Sequence, residues 1–418
     1  MNRSLRRGAC PGLSEPMPTG DGLLVRILLK DRISPNAFIA LCLAARAHAN
    51  GIFEITSRGS VQVRGLTPPS IPLFASQVAA LDIAQTHGVV VLTDPIPHDL
   101  NALIDAEASV LAVRTAIEAA GFILAPKVAV VIDSGGRLHL DALRADVRLR
   151  AFRSREGLRW LVALGGDAYS ATTLGAVVPH GAADTVVRLL GRIAACGRTA
   201  RAADILRDQG IAPFRSAVAT AIEGAPSLPA RVPVDPIGIH PLRNGRLALG
   251  IALPFGQADA EALARLAQAS ADRGAHALRA VPGRTLLLIG LNEDGALGLA
   301  VAAARLGFIV RSDDPRRRIA ACPGKPACAS GWIEARVLAR EVAQRLSARA
   351  GAIDVHISGC AKGCAHPSPA ALTIVGSDRG CGIIHHGSTR AMPRRYVGPS
   401  RLVSEIVRSL TPSGSTDG

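Results

Sequence analysis

The chain has 418 residues, 48% hydrophobic and 19% charged, which places it among ordinary globular proteins with room for about two to four domains. A formal net charge of +15 favours a negatively charged substrate or partner, with a merely solubilising basic surface as the alternative. Aromatic residues make up only 3%, too few to line a long single-stranded nucleic-acid groove, so a small polyanion fits better and no nucleic-acid partner is expected.

The opening MNRSLRRGACPGLSEPMPTG is basic but contains no apolar run of the kind that drives export. From Gly22 the pattern reads strand (GLLVRILL), helix (NAFIALCLAARAHANG), then IFEITSRGSVQVRGL, where alternation around Ile52 to Val63 predicts a half-buried strand. Next comes an α/β stretch in which helical NALIDAEASVLAVRTAIEAAG leads into the strand KVAVVIDSGG. A Pro-rich segment from Pro226 to Pro241 reads as a linker.

From Gly245 the first pattern returns. GRLALGIAL, ADAEALARLAQASADRG and AHALRAVPGRTLLLIGL repeat strand, helix and strand, and a Gly stops each helical run. A second α/β stretch follows, with helical GWIEARVLAREVAQRLSARAG before DVHISGC, and the tail after Pro412 reads as disordered. The expected fold class is α+β, with duplicated halves in a pseudo-two-fold arrangement. Its modules span residues 18–90, 91–228, 236–300 and 301–411. The longest apolar runs, Val128 to Ile132 and Leu286 to Ile289, fall far below the ~20 residues that span a bilayer. A cytoplasmic protein without membrane contact is expected.

Eight cysteines in a long chain of this kind point to metal or redox chemistry rather than a disulfide framework. Cys10, Cys42, Cys196 and Cys381 are scattered; Cys42 lies on an apolar helix as a small core residue, and Cys10 is either part of a signature loop or a surface thiol. Cys322-x5-Cys328 and Cys360-x3-Cys364 instead form two close pairs, in ACPGKPACASG and SGCAKGCAHPSP. A cubane cluster needs four thiolates from loops that wrap closely, which small residues allow. Lys325 and Lys362, inside these loops, could offset the cluster's negative charge or simply face solvent. A four-cysteine zinc site is the alternative, although five residues between Cys322 and Cys328 exceed the usual two to four or so. His356 and His366 flank the second pair, either as ligands of a separate iron or as structural residues.

At these residues the chain resembles the sulfite and nitrite reductase superfamily, whose cluster motif is Cys-x5-Cys, a long gap, and Cys-x3-Cys. ITSRGSVQVRG, with Thr56, Arg58, Gln62 and Arg64, is similar to that superfamily's first-half tetrapyrrole-contacting strand. The resemblance covers nearly the whole chain and implies duplicated ferredoxin-like half-domains, each followed by a reductase-type α/β module. The second module would carry a 4Fe-4S cluster on Cys322, Cys328, Cys360 and Cys364. In the reductases two Arg and two Lys surround the small oxyanion. Arg26 and Lys127 match half of that set, while Val89 and Ala129 stand where the other Arg and Lys are expected, so oxyanion reduction is disfavoured.

CPGLSEPMPTGDGLLVRI, GIHPLRNGRLALGIALPFGQADA and ISGCAKGCAHPSPAALTIVG resemble the precorrin-3B synthases within that superfamily. That family implies an oxygen-dependent monooxygenase that hydroxylates the anionic tetrapyrrole precorrin-3A and closes a lactone, with NADH as electron source and a further non-haem iron. Arg58, Arg64, Arg279 and Arg284 are then expected to face a common cleft and bind substrate carboxylates, alongside Arg26, Gln62 and Lys127. With no GxGxxG after a strand, NADH is expected to act through a separate reductase. A sirohaem-dependent sulfite or nitrite reductase and a non-catalytic electron-transfer or zinc-stabilised protein are the rival readings.

Overall fold

The computed structural model describes residues 11–27, 29, 32–81, 83, 88–97, 99–219, 222–224, 226–347, 354–366 and 368–410. Cys10 and the tail after Pro412 lie outside them. The first half opens with strands β1 (Met17–Thr19) and β2 (Gly22–Ile27). Helix α1 (Pro35–His48) begins where the Ser34 hydroxyl accepts the Ala37 N–H at 3.2 Å and Pro35 takes the first helical turn. The stretch read as one strand from Ile52 to Val63 is instead a hairpin, β3 (Ile52–Ile55) and β4 (Val61–Leu66). It turns through Gly59, where φ is +80° and a Cβ would lie 2.8 Å from the Val281 carbonyl carbon. Helix α2 (Ser70–Ala80) closes this half.

The first α/β module contains β5 (Val90–Thr93), α3 (Ala106–Ala120), β6 (Ala129–Asp133), β7 (Ala145–Ser154), β8 (Gly157–Gly166) and β9 (Thr172–Val177). Helices α4 (Ala182–Ala195), α5 (Ala202–Gln209) and α6 (Ala212–Val218) follow. The Pro-rich stretch ends in an edge strand, β10 (Gly238–Pro241), which leads to β11 (Leu247–Ala252) and β12 (Gln257–Asp259). Helix α7 (Ala260–Ala271), capped by Asp259, precedes a second hairpin, β13 (Ala277–Val281) and β14 (Thr285–Leu291), and then α8 (Glu293–Arg305). The last module holds β15 (Ile319–Ala321), α9 (Ala335–Ala343), β16 (Val355–Ser358), β17 (Ala370–Ser377), β18 (Gly380–Gly387), β19 (Arg395–Val397) and α10 (Pro399–Leu410).

Sheet order makes the duplication explicit. The two α/β modules have the orders β5-β6-β7-β8-β9 and β15-β16-β17-β18-β19. In each, the first two pairings are parallel, the first of them connected through a helix, α3 or α9, and the rest are antiparallel. The half-domain sheets run β1-β2-β4-β3-β12 and β10-β11-β14-β13. They exchange edges. β12 of the second half pairs with β3 of the first, and Ile33 of the first half bridges to Leu278 in β13 of the second. Each donated segment lies just before a helix, α7 or α1, and these two helices pack on one another. One core therefore serves both halves, joining Phe38, Leu41 and Phe53 to Leu263, Leu266 and Leu278. Each α/β module keeps its own core, one centred on fully buried Trp160 and the other on Ile357, Leu372 and Ile374. No helix among the described residues is long and apolar enough to cross a membrane.

Candidate functional site

Cys322 directly follows β15, and Cys360 lies just past β16, the parallel strand beside it. The cysteine loops thus leave the carboxyl ends of adjacent parallel strands, where sheets of this kind place their ligands. Three glycines let the loops touch. A Cβ on Gly359 would sit 3.1 Å from the Gly324 Cα and 3.3 Å from the Gly331 Cα, and one on Gly331 would meet the Gly324 carbonyl carbon at 2.9 Å. The Trp332 N–H donates to the Gly359 carbonyl at 2.8 Å, and Lys362 Nζ to the Ser330 hydroxyl at 2.9 Å, so each loop is fastened to the other.

Cys322 is buried, Cys328 and Cys360 are half-buried and Cys364 is exposed. The Gly359 N–H donates to Cys322 Sγ at 3.0 Å. Burial pushes the Cys364 thiol up, reinforced by negative charge on Cys360, Cys322 and Cys328 and opposed by Lys362. Four cysteines on wrapped, glycine-packed loops match the donor set of a multi-iron cluster.

Two arginines expected to bind substrate reach these loops instead. Arg64, on β4, is buried; it donates to Asp21 Oδ2 at 3.0 Å and Oδ1 at 2.8 Å and to the Ala327 carbonyl, beside Cys328, and lies 3.7 Å from Glu54. Burial alone would raise the Asp21 carboxyl, but hydrogen bonds from Arg64 and Thr19 hold it below the usual carboxylate range. Arg284, in the β13–β14 turn, adopts φ +63° and donates to the Ala365 carbonyl, beside Cys364, at 3.0 Å. Burial, with Arg336 nearby, lowers its pKa, and Glu54 opposes the shift. Both guanidiniums are thus committed to the cysteine loops.

Buried Glu54, on β3, ties this layer together, although nothing in the alternating IFEI pattern singled it out. It accepts from Arg336 at 2.6 Å, and with the Gln62 amide turned so that its nitrogen faces Glu54 and its oxygen faces Arg26, Glu54 also accepts from Gln62 at 3.1 Å and Gln62 from Arg26 at 2.7 Å. Arg26, Gln62, Arg64 and Arg284 therefore cluster around the cysteine module.

The other three residues of the expected set lie elsewhere. Arg58 is exposed in the β3–β4 turn, its backbone paired with Pro282. Arg279 donates to the Asp94 and Pro95 carbonyls of the first α/β module. Lys127, exposed with φ +71°, precedes β6 at its amino end, away from the strand ends where ligands gather. The four arginines do not lie on corresponding strands: Arg58 and Arg284 occupy the two hairpin turns, Arg64 lies on β4 and Arg279 on β13. β3 corresponds to β13 and β4 to β14, so Arg64 and Arg279 occupy unlike strands.

His356, on β16, is fully buried, and neither ring nitrogen has a hydrogen-bond partner among the described residues. Burial, with His366 and Arg284 nearby, pushes it down to about 4. The His366 ring stands edge-on 5.8 Å away. In the first module the matching strand ends carry Asp94 and Ser134 where the second has Cys322 and Gly359. They border a cavity of about 320 Å³. Asp94 accepts the Ser134 N–H at 2.9 Å and is pushed up to about 7 by burial and the nearby Asp133 carboxylate.

Residues 15–81 match the family model of the nitrite/sulfite reductase ferredoxin-like half domain. The precorrin-3B synthase of Sinorhizobium sp is 37% identical over 410 residues, 97% of this chain and 88% of that protein. The ferredoxin sulfite reductase of Mycobacterium tuberculosis is 29% identical over 180 residues, 40% of this chain and 32% of its own length. Among solved structures, the Mycobacterium tuberculosis NirA protein superposes with a TM-score of 0.73 at 20% identity, covering 92% of this chain and 80% of that one, which establishes a shared fold.

Proposed function

The chain belongs to the precorrin-3B synthase family within the sulfite and nitrite reductase superfamily, and from that premise we propose that it is an oxygen-dependent iron-sulfur monooxygenase of cobalamin biosynthesis. Its substrate in this reading is precorrin-3A, hydroxylated at a meso carbon while the ring A acetate closes a lactone. One atom of O2 enters the product and the other leaves as water. The two electrons required come from NADH through a separate reductase.

The observation that carries the reading is the pair of touching loops that presents Cys322, Cys328, Cys360 and Cys364. A 4Fe-4S cluster held there supplies one-electron transfer. The chain's own residues do the rest. The Gly359 N–H, which donates to Cys322 Sγ, and the cations Lys325 and Lys362 on the two loops would offset the negative charge of such a cluster. Arg64 and Arg284 hold the loops through the Ala327 and Ala365 carbonyls. Arg26 and Gln62, beside the cysteine module, are the groups that would meet substrate carboxylates. For a further non-haem iron, His356 and His366 would provide two imidazoles, short of the three protein ligands of a facial triad.

The test is anaerobic purification with iron, sulfide and zinc quantified, followed by absorbance and electron paramagnetic resonance before and after dithionite. Expected are about four irons and four sulfides per chain, no haem band, and an oxygen-dependent mass gain of one oxygen atom in precorrin-3A. A sirohaem band would return the chain to the reductases, and zinc without sulfide would sink both enzymatic readings.

A further inference from the structure

The cavity of about 320 Å³ in the first α/β module opens at the carboxyl ends of β5 and β6, where the second module carries its cysteines. That volume suits a small molecule and is too little to enclose a tetrapyrrole. Its floor is polar. Asp94, 7% exposed, accepts the Ser134 N–H at 2.9 Å, the Ser134 hydroxyl also faces it, and Thr93 stands beside them. Ile96, Ile104 and Val110 form buried apolar walls.

Arg32 and Arg243 line the cavity where it meets solvent. Arg32 gives Nη2 to Glu107 at 3.1 Å, and Arg243 gives Nε and Nη2 to the Asp99 and Ala102 carbonyls at 3.1 and 2.7 Å. Nη1 of each has no hydrogen-bond partner among the described residues. The acids near them are already occupied. Asp99 accepts the Asn101 and Arg137 N–H groups, Asp105 caps α3, and Glu107 holds Arg32.

The floor selects against charge. Asp94 titrates at about 7, so near neutral pH it is present both as acid and as carboxylate. A ligand ammonium against it would meet Arg279, which also lines the cavity, and a ligand carboxylate would add a third negative charge to those of Asp94 and Asp133. An uncharged amide answers both forms, because it donates and accepts hydrogen bonds.

We propose that this cavity binds a small organic anion that carries an amide at its far end. The amide meets Asp94 and Ser134, the apolar body lies against Ile96, Ile104 and Val110, and the anionic end meets Arg32 and Arg243. The site needs neither the cysteines nor iron, so it stands apart from the proposed monooxygenation.

The experiment is calorimetric titration of the full chain at about pH 8, above the folded-state value of Asp94. The probes are two half-amides of dicarboxylic acids, rigid terephthalamate and flexible adipamate, with terephthalate, adipate and benzamide for comparison. At least one half-amide is expected to bind with a dissociation constant of about 1 mM or tighter. Its diacid, and benzamide without the acid group, should bind about tenfold or more weakly. Arg32→Gln and Ser134→Ala, each checked for folding by circular dichroism, should weaken the half-amide about tenfold. Asp94→Asn removes the repelling carboxylate, so the diacid should gain on the half-amide by about tenfold.

Failure of both half-amides to bind, or equal affinity of the unaltered chain for half-amide and diacid, overturns the proposal. Unchanged affinity in both Arg32→Gln and Ser134→Ala does so too, since the probe would then sit elsewhere.

Discussion

A buried guanidinium is tolerated only when its donors are met, and Arg64 meets them with Asp21 and the Ala327 carbonyl. Removing it should both destabilise the fold and loosen the Cys328 loop. Arg64→Gln is expected to cost about 3 kcal/mol in urea unfolding and to lower iron content. Arg284→Gln, which loses one hydrogen bond at 3.0 Å, should cost nearer 1 kcal/mol. Equal losses in the two variants would contradict the clamp assigned to Arg64. Asp94 offers a test by pH. Its carboxyl is raised from 3.8 to about 7, so folding favours the protonated form. That stability is complete at low pH and is lost as pH rises toward the folded-state value. Asp94→Asn, which does not titrate, should gain on the unaltered protein by about 2–4 kcal/mol between acid and pH 8, and parallel stability profiles would refute this. The cysteines were legible because residue type and spacing state their chemistry directly. The arginines were not, since Ala327 lies 263 residues from Arg64 in the chain.

At the scale of elements, β15 and β16 bring the two cysteine pairs together, and Gly324, Gly331 and Gly359 let their loops touch. Gly331→Ala would place a Cβ 2.9 Å from backbone atoms of Gly324 and Lys325, neither of which can swing away. It is expected to cost about 1–3 kcal/mol and to reduce iron and sulfide content. Gly224→Ala, with nothing within 4 Å of the added carbon, is the neutral control. Loss of iron in the control alone would sink the explanation. Helices were readable from their apolar patterns and the Gly that follows each run, while the caps at Ser34 and Asp259 came from the structure. The hairpins were not, because a turn at Gly59 inside an alternating run leaves the period of two unbroken on either side.

Across the whole molecule, the edge exchange of β12 and Ile33 fuses the two half-domains into one core. Their unfolding should therefore be shared. Phe38→Ala in the first half and Leu266→Ala in the second are each expected to cost about 2–5 kcal/mol while the core melts in one transition, followed by urea titration. A transition that splits between the halves would show that each folds alone. The duplication itself was visible in the sequence, because strand, helix and strand recur as local hydrophobic patterns that need no partner to be recognised. The two close cysteine pairs were equally visible, since residue type and spacing are properties of the chain itself. Which half completes which sheet, which arginines close over the cysteine loops and which residues line the cavity of the first module were decided only by the tertiary structure. Those contacts join residues far apart in the chain, and their geometry follows from how the sheets and helices pack rather than from any local pattern.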